Sequence, residues 1–198
     1  MPPFHLGAVE SISGRVGPGP FFLVVGPSGA GKDTLLRHTR EVLQHDPDVV
    51  FVRRIVTRPS SAAEDHHSLS PDDFWVAAQQ GAFALSWSAH GLSYAIPLSV
   101  ESDIAAGRRV VCNVSRAVVV DARVRYQRAI VVLVTAPDAV LRARLMARGR
   151  PGDIDVAARL SRSSLFASAL CPDHVIVNVG PVDRAAAQLA ALIRGIAN

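Results

Sequence analysis

Lysine is almost missing from this chain. Of 21 Lys plus Arg residues among 198, twenty are arginine and one is lysine, Lys32. Cysteine is scarce as well. Cys112 and Cys171 stand alone, with no CxxC pair or ligand cluster, so neither a disulfide framework nor a cysteine metal site is expected. Cys112 falls in an apolar run and reads as a small buried hydrophobe. No apolar run is long enough to span a bilayer, and Phe21–Val25 and Ala129–Val134 are the longest. Met1–Glu10 has neither the basic start nor the apolar stretch of a signal peptide, which points to the cytoplasm.

The chain does hold enough apolar residues for a proper core. Hydrophobic residues make up 49% and charged residues 19%, which excludes a disordered or low-complexity protein. The length suits one domain with a small insertion. The net charge is +4. The arginines are spread along the chain rather than gathered in a basic tail. An anionic small molecule accounts for them as well as nucleic acid does, and no nucleic-acid or membrane partner is expected.

Short apolar runs alternate with helical stretches. Strands are expected at Phe21–Val25, Val49–Val56, Arg109–Val114, Ile130–Thr135 and His174–Val179. Helices are expected at about Lys32–Gln44, Ala117–Tyr126, Pro137–Ala147, Asp153–Ala169 and Pro181–Ile196. Strand–helix alternation predicts an α/β fold, a parallel sheet with helices on both faces. Residues 1–20, ending Gly17-Pro18-Gly19-Pro20, read as a loose leader, leaving 21–198 as the domain. From about Arg58 to Ile96 the rhythm breaks, as for an inserted lobe. There Ser70-Pro71-Asp72-Asp73 starts a helix that ends near Gly81. Phe83–Trp87 and Ser93–Ile96 form two strands, and a short helix follows Pro97. Trp75 reads as core of this lobe.

Gly26-Pro27-Ser28-Gly29-Ala30-Gly31-Lys32 fits G-x-x-x-x-G-K between an apolar strand and a helix. That is the context a P-loop needs: glycines let successive N–H groups face a phosphate, and the helix N-terminus adds positive charge. Lys32 can then reach the β- and γ-phosphates. Asp33 and Thr34 follow, where Ser or Thr normally meets Mg²⁺. Asp33 is read either as a metal ligand, with Thr34, or as an acid favoured by the helix dipole.

With these motifs the chain resembles the guanylate kinase family of P-loop kinases from Phe22 to Ile196. The carriers are the loop, Thr57-Arg58-Pro59 with Glu64, Gly81-Ala82-Phe83, His90-Gly91, Tyr94, and Arg144-Leu145 with Arg148-Gly149. Within that family it is similar to the ribose 1,5-bisphosphate phosphokinase branch of phosphonate catabolism. The marks of that branch are Gly31-Lys32-Asp33, Arg54, Glu64 and His66, Ala84-Leu85-Ser86-Trp87, and Asn113 with Ser115-Arg116.

The resemblance implies a kinase with ATP as donor and Mg²⁺ as cofactor, making 5-phosphoribosyl 1-diphosphate. It places the nucleotide on residues 26–34 and Asn178. It assigns charge neutralisation to Lys32, Arg144, Arg148 and Arg159, as part of an arginine lid at about 142–162. The same arginines also suit a plain solvated surface. It gives the acceptor to Arg54, Arg58, Glu64, His66, Trp87, Tyr94, Asn113, Ser115, Arg116 and Arg162. A guanine reader needs an acid and a hydroxyl where this chain has Leu85 and Ile96, and a further acid where it has Asn113. The alternatives are a guanylate kinase and a related interaction module without catalysis. The retained Lys32 and the lid arginines speak against the module.

Overall fold

The computed structural model describes residues 14–59, 66–148 and 171–195. Five strands form a parallel sheet in the order β2-β7-β1-β8-β9. They are β1 (Phe21–Val25), β2 (Val49–Phe51), β7 (Arg109–Asn113), β8 (Ala129–Thr135) and β9 (His174–Val177). Every residue of β1 is fully buried. Its side chains alternate between two cores, as the pleat requires. Phe21, Leu23 and Val25 enter one, Phe22 and Val24 the other. The first core is closed by α3 (Val100–Ala105) and α4 (Val119–Arg125), through Val100, Ile104, Val119 and Ala122. The second is closed by α1 (Lys32–Val42), α5 (Asp138–Arg148) and α6 (Val182–Gly195), through Leu35, Leu141, Leu189 and Ile193. Helices on both faces of a parallel sheet are what the sequence predicts.

The inserted lobe is a second sheet, ordered β4-β3-β6-β5. Its strands are β3 (Arg54–Val56), β4 (His66–Ser68), β5 (Phe83–Ala89) and β6 (Leu92–Pro97). The run Val49–Val56 is therefore not one strand. Its first half pairs with β7, its second with β4 and β6, and the chain changes sheets at Val52-Arg53. β5 and β6 form a hairpin around His90 (φ 53°) and Gly91 (φ 74°), the double positive φ of a two-residue type I′ turn. Helix α2 (Pro71–Gln79) begins as expected, with the Ser70 hydroxyl accepting from the Asp73 N–H. Trp75 departs from its expected burial. It is 56% exposed, while its neighbour Phe74 packs on Phe83 with ring centroids 4.7 Å apart. One residue is about 100° of helix rotation, so only one of the two can face the strands.

The end of the expected leader is tied down. Val16 bridges Tyr126, and Gly19 and Pro20 are buried. Residues 1–13, Glu64 and the expected helix Asp153–Ala169, with Arg159 and Arg162, lie outside the described residues. No described helix is long and apolar enough to cross a membrane.

Among the described residues, burial favours the neutral forms of Cys112 and Tyr126. Burial pushes the Cys112 thiol up to about 12. Burial, with Glu101 beside it, raises Tyr126 well above the ordinary phenol range. Both would ionise more easily in the unfolded chain, so the unfolded state binds fewer protons above about pH 8.5. Their stabilisation is present below that pH and is lost as pH rises toward 12. Thermal melts should show Tm falling steadily from pH 8.5 to 11, less so in Cys112→Ala. At pH 8 a thiol reagent should modify exposed Cys171 and reach Cys112 only after denaturation.

Candidate active site

The loop between β1 and α1 is shaped by what surrounds it. Gly26 has φ 153°, and a Cβ there would stand 2.0 Å from the Val134 carbonyl oxygen of β8. Gly31 ends the loop in the left-handed region (φ 83°) and caps α1. A Cβ on it would meet Asn178 Nδ2 at 2.7 Å and approach Arg144 Nη1 at 3.8 Å. Both positions require glycine, for space and for backbone shape. Lys32 Nζ donates to the Gly26 and Pro27 carbonyls at 2.8 and 3.0 Å, curling the side chain back over the loop it follows.

Asn178 braces the loop from below. Its Nδ2 donates to the Ala30 carbonyl at 2.8 Å, and its backbone N–H is fixed 2.7 Å from the Thr135 carbonyl. Arg144 comes from α5, whose Leu141 and Leu145 are buried against the loop beside Gly29. Its Nη1 is buried and has no partner among the described residues. An unmade bond at a buried donor costs about 1–3 kcal/mol. A phosphate oxygen in the loop would satisfy it, so the donors present fit a nucleotide's phosphates. The Arg148 backbone closes α5, and Arg142 is exposed.

No group of three or more His, Cys, Asp or Glu side chains that could hold a metal ion is found among the described residues. Mg²⁺ in kinases draws most of its ligands from phosphate and water, with one or two protein groups. Asp33 and Thr34, both exposed in the first turn of α1, are suitable as such groups.

Across from the loop stands the lobe. Arg54 opens β3 with its side chain 19% exposed, and its Nη2 donates to Asp33 Oδ1 at 3.3 Å. Asn113 ends β7 and donates from Nδ2 to the same oxygen at 2.6 Å. The Arg54 guanidinium also lies 6.0 Å from the Tyr94 ring centre, on the ring face. Tyr94 stacks on Trp87, centroids 5.5 Å apart and planes 4° apart. His66 is buried, and its Nε2 donates to the Arg58 carbonyl at 3.3 Å. It thus braces the backbone that carries Arg58. Ser115 caps the 3₁₀ turn Arg116–Val118 by accepting from the Ala117 N–H. Partial burial lowers the Arg116 pKa from its ordinary value.

Leu85 and Ile96 face each other across the hairpin, and both are buried in the first core. Neither can hydrogen-bond a purine.

The chain is 52% identical over 182 residues to ribose 1,5-bisphosphate phosphokinase PhnN of Bradyrhizobium diazoefficiens, a span covering 92% of this chain and 91% of that protein. It belongs to the ribose 1,5-bisphosphate phosphokinase family. A second family member, from Rhodopseudomonas palustris, is 47% identical over 189 residues, or 96% of this chain and 95% of that one. No protein-family model matches the chain. Among solved structures, guanylate kinase from Anaplasma phagocytophilum aligns with a TM-score of 0.64 over 89% of this chain and 85% of its own, at 17% identity. That likeness establishes the shared fold. As a family member the chain is a kinase, a phosphotransferase of the P-loop type.

The structure thus brings Lys32, Asp33, Thr34, Arg144 and Asn178 to one loop, and sets Arg54 and Asn113 against it. What the sequence does not reveal is the pairing of Asp33 with both. Its signal is an exchange visible in the motifs: an acid stands where a hydroxyl is usual, and an amide where an acid is usual.

Lys32→Ala should lower kcat by at least about a hundredfold with little change in Tm, since the ammonium neutralises phosphate charge and supports no core. Arg144→Ala should weaken nucleotide binding about tenfold or more, read by titration calorimetry with a non-hydrolysable ATP analogue. It should not lower Tm, because it removes an unpartnered donor.

Proposed function

We propose that this protein transfers the γ-phosphoryl group of ATP to the phosphate on C1 of ribose 1,5-bisphosphate, giving 5-phosphoribosyl 1-diphosphate and ADP. The observation that carries this reading is the pair Leu85 and Ile96. By the resemblance to the guanylate kinase family, this apolar cross-strand pair, buried in the core, stands where a guanine reader needs an acid and a hydroxyl. A site without those partners rejects the base strongly. Arg54, on the same lobe and held beside Tyr94 and Asp33, suits a phosphate instead.

In this reading the loop N–H groups and Lys32 hold the β- and γ-phosphates of ATP, and Arg144 donates to them from the side. Thr34, in the first turn of α1, would hold Mg²⁺, which would supply positive charge to the transferring phosphates. Arg54, Arg58 and Arg116 take the acceptor's phosphates, which forked guanidinium groups suit. Trp87 and Tyr94 form the wall beside the ribose. His66 keeps Arg58 in place, and Ser115 keeps Arg116 in place. Glu64 and Arg162 complete the acceptor side, and Arg148 and Arg159 the charge neutralisation, by family resemblance. The acceptor oxygen is already anionic near neutral pH, so the site needs no strong general base. Its chain-derived groups act by positioning and by charge. The residue roles imply a single kinase unit whose lobe, about 58–96, receives the acceptor. The chain holds no membrane-crossing helix among its described residues, in keeping with a cytoplasmic enzyme.

The test is kcat/KM with Mg²⁺-ATP and either ribose 1,5-bisphosphate or GMP. The expected result favours the bisphosphate by at least about a hundredfold. Phosphorylation of GMP with none of the bisphosphate would contradict the proposal. Arg58→Ala and Arg116→Ala should each cost about tenfold or more in kcat/KM for the bisphosphate, with the KM for ATP nearly constant.

A further inference from the structure

Three elements distant in sequence meet at one oxygen atom. Asp33 Oδ1 accepts from Asn113 Nδ2 at 2.6 Å and from Arg54 Nη2 at 3.3 Å. The first donor ends β7, directly beside the strand that feeds the phosphate loop, with Asn113 in register with Val24. The second opens the lobe. The carboxylate itself is next to Lys32. This contact therefore joins the donor loop to the acceptor lobe through a single side chain.

Stability does not account for it. The Asp33 side chain is 51% exposed, and ion pairs that wet contribute little to folding. A negative charge is also unwelcome beside a loop built for phosphate unless something is gained by it. What is gained is a fixed guanidinium. Arg54 is held on one side by the carboxylate and on another by the face of Tyr94. A guanidinium has five N–H donors in a rigid fork, so a bond through one of them orients the rest. The nature of residue 113 follows from the same contact. A second carboxylate 2.6 Å from Asp33 would repel it, whereas an amide donates and holds it in place.

We infer that Asp33 is a positioning residue of the acceptor site: anchored by Asn113, its carboxylate aims Arg54 at the acceptor's phosphate, and Asp33 and Asn113 act as a matched pair. This rests on the reading of function above. It gives Asp33 a role at the acceptor, through the oxygen that two protein donors engage, and leaves Thr34 as the group for Mg²⁺.

The experiment compares wild type with Asp33→Asn, Asn113→Asp and the exchanged double variant, each checked for folding by its thermal melt. Asp33→Asn should raise KM for ribose 1,5-bisphosphate about tenfold, leaving KM for ATP and the Mg²⁺ concentration for half-maximal rate within about twofold. Asn113→Asp should do likewise. The double variant restores an amide beside a carboxylate and should recover part of the lost acceptor affinity, a coupling that independent sites do not show. A raised Mg²⁺ requirement in Asp33→Asn with unchanged acceptor KM would overturn the inference, as would additive losses in the double variant. A readout free of turnover separates this from the functional reading. In ¹⁵N-labelled protein, the Asn113 side-chain amide should be protected from exchange and should lose that protection in Asp33→Ala. If wild type ignores ribose 1,5-bisphosphate, the functional reading falls on its own. An Asn113 amide that Asp33→Ala leaves unmoved overturns the pair directly.

Discussion

The loop between Gly26 and Gly31 must curl tightly around the space a phosphate would take, with positive φ at all three of its glycines. The neighbouring elements are placed by that requirement. β8 passes so close that Gly26 cannot carry a Cβ against the Val134 carbonyl. α5 packs Leu141 and Leu145 against the outside of the loop and thereby delivers Arg144 to its rim. Asn178, just past β9, holds the Ala30 carbonyl and so prevents the loop from relaxing into its own space. The buried strand β1 and its two cores fix where this space sits. Fully burying each large apolar side chain contributes roughly 1.5–3 kcal/mol, enough collectively to hold a tight turn at the end of the strand.

Much of this arrangement is written locally. The motif from Gly26 to Lys32, the apolar run before it and the helix after it are adjacent in sequence, so their geometry follows from neighbours alone. The Ser70 cap and the alternation of strands and helices are legible for the same reason. Other features depend on partners far along the chain. Val49–Val56 has the composition of one strand; only the competing edges of β7 and β6 divide it between two sheets. Trp75 has the apolarity of a core residue, yet Phe74 holds the face of α2 that meets β5. Gly17-Pro18-Gly19-Pro20 has a leader's composition, while Val16 bonds the end of α4, Gly19 bonds α3 and Pro20 bonds β7. None of these outcomes has a signature within a few residues.

The site divides in the same way. The donor side is legible because one short motif carries it. The lobe side is assembled from β3, β5, β6 and β7, and single residues suggest roles there without showing contacts. Asp33 illustrates the difference. Beside Lys32 it has the look of a metal ligand or a helix-dipole acid. Its bonds to Arg54 and Asn113 reach 21 and 80 residues along the chain. Family membership constrains the chemistry, and the contact between loop and lobe suggests how that chemistry acquires its acceptor.

The central claim is that one space holds donor phosphate on the loop and acceptor phosphate on the lobe, with Asp33 and Arg54 joining the two. A crystal structure with a non-hydrolysable ATP analogue, Mg²⁺ and ribose 1,5-bisphosphate tests it most directly. The account predicts β- and γ-phosphates in the loop, Arg144 Nη1 donating to one of them, and the C1 phosphate against Arg54 while Asp33 still holds that guanidinium. A bisphosphate seated away from Arg54, or Asp33 released from Arg54 and bound to the metal, would contradict it.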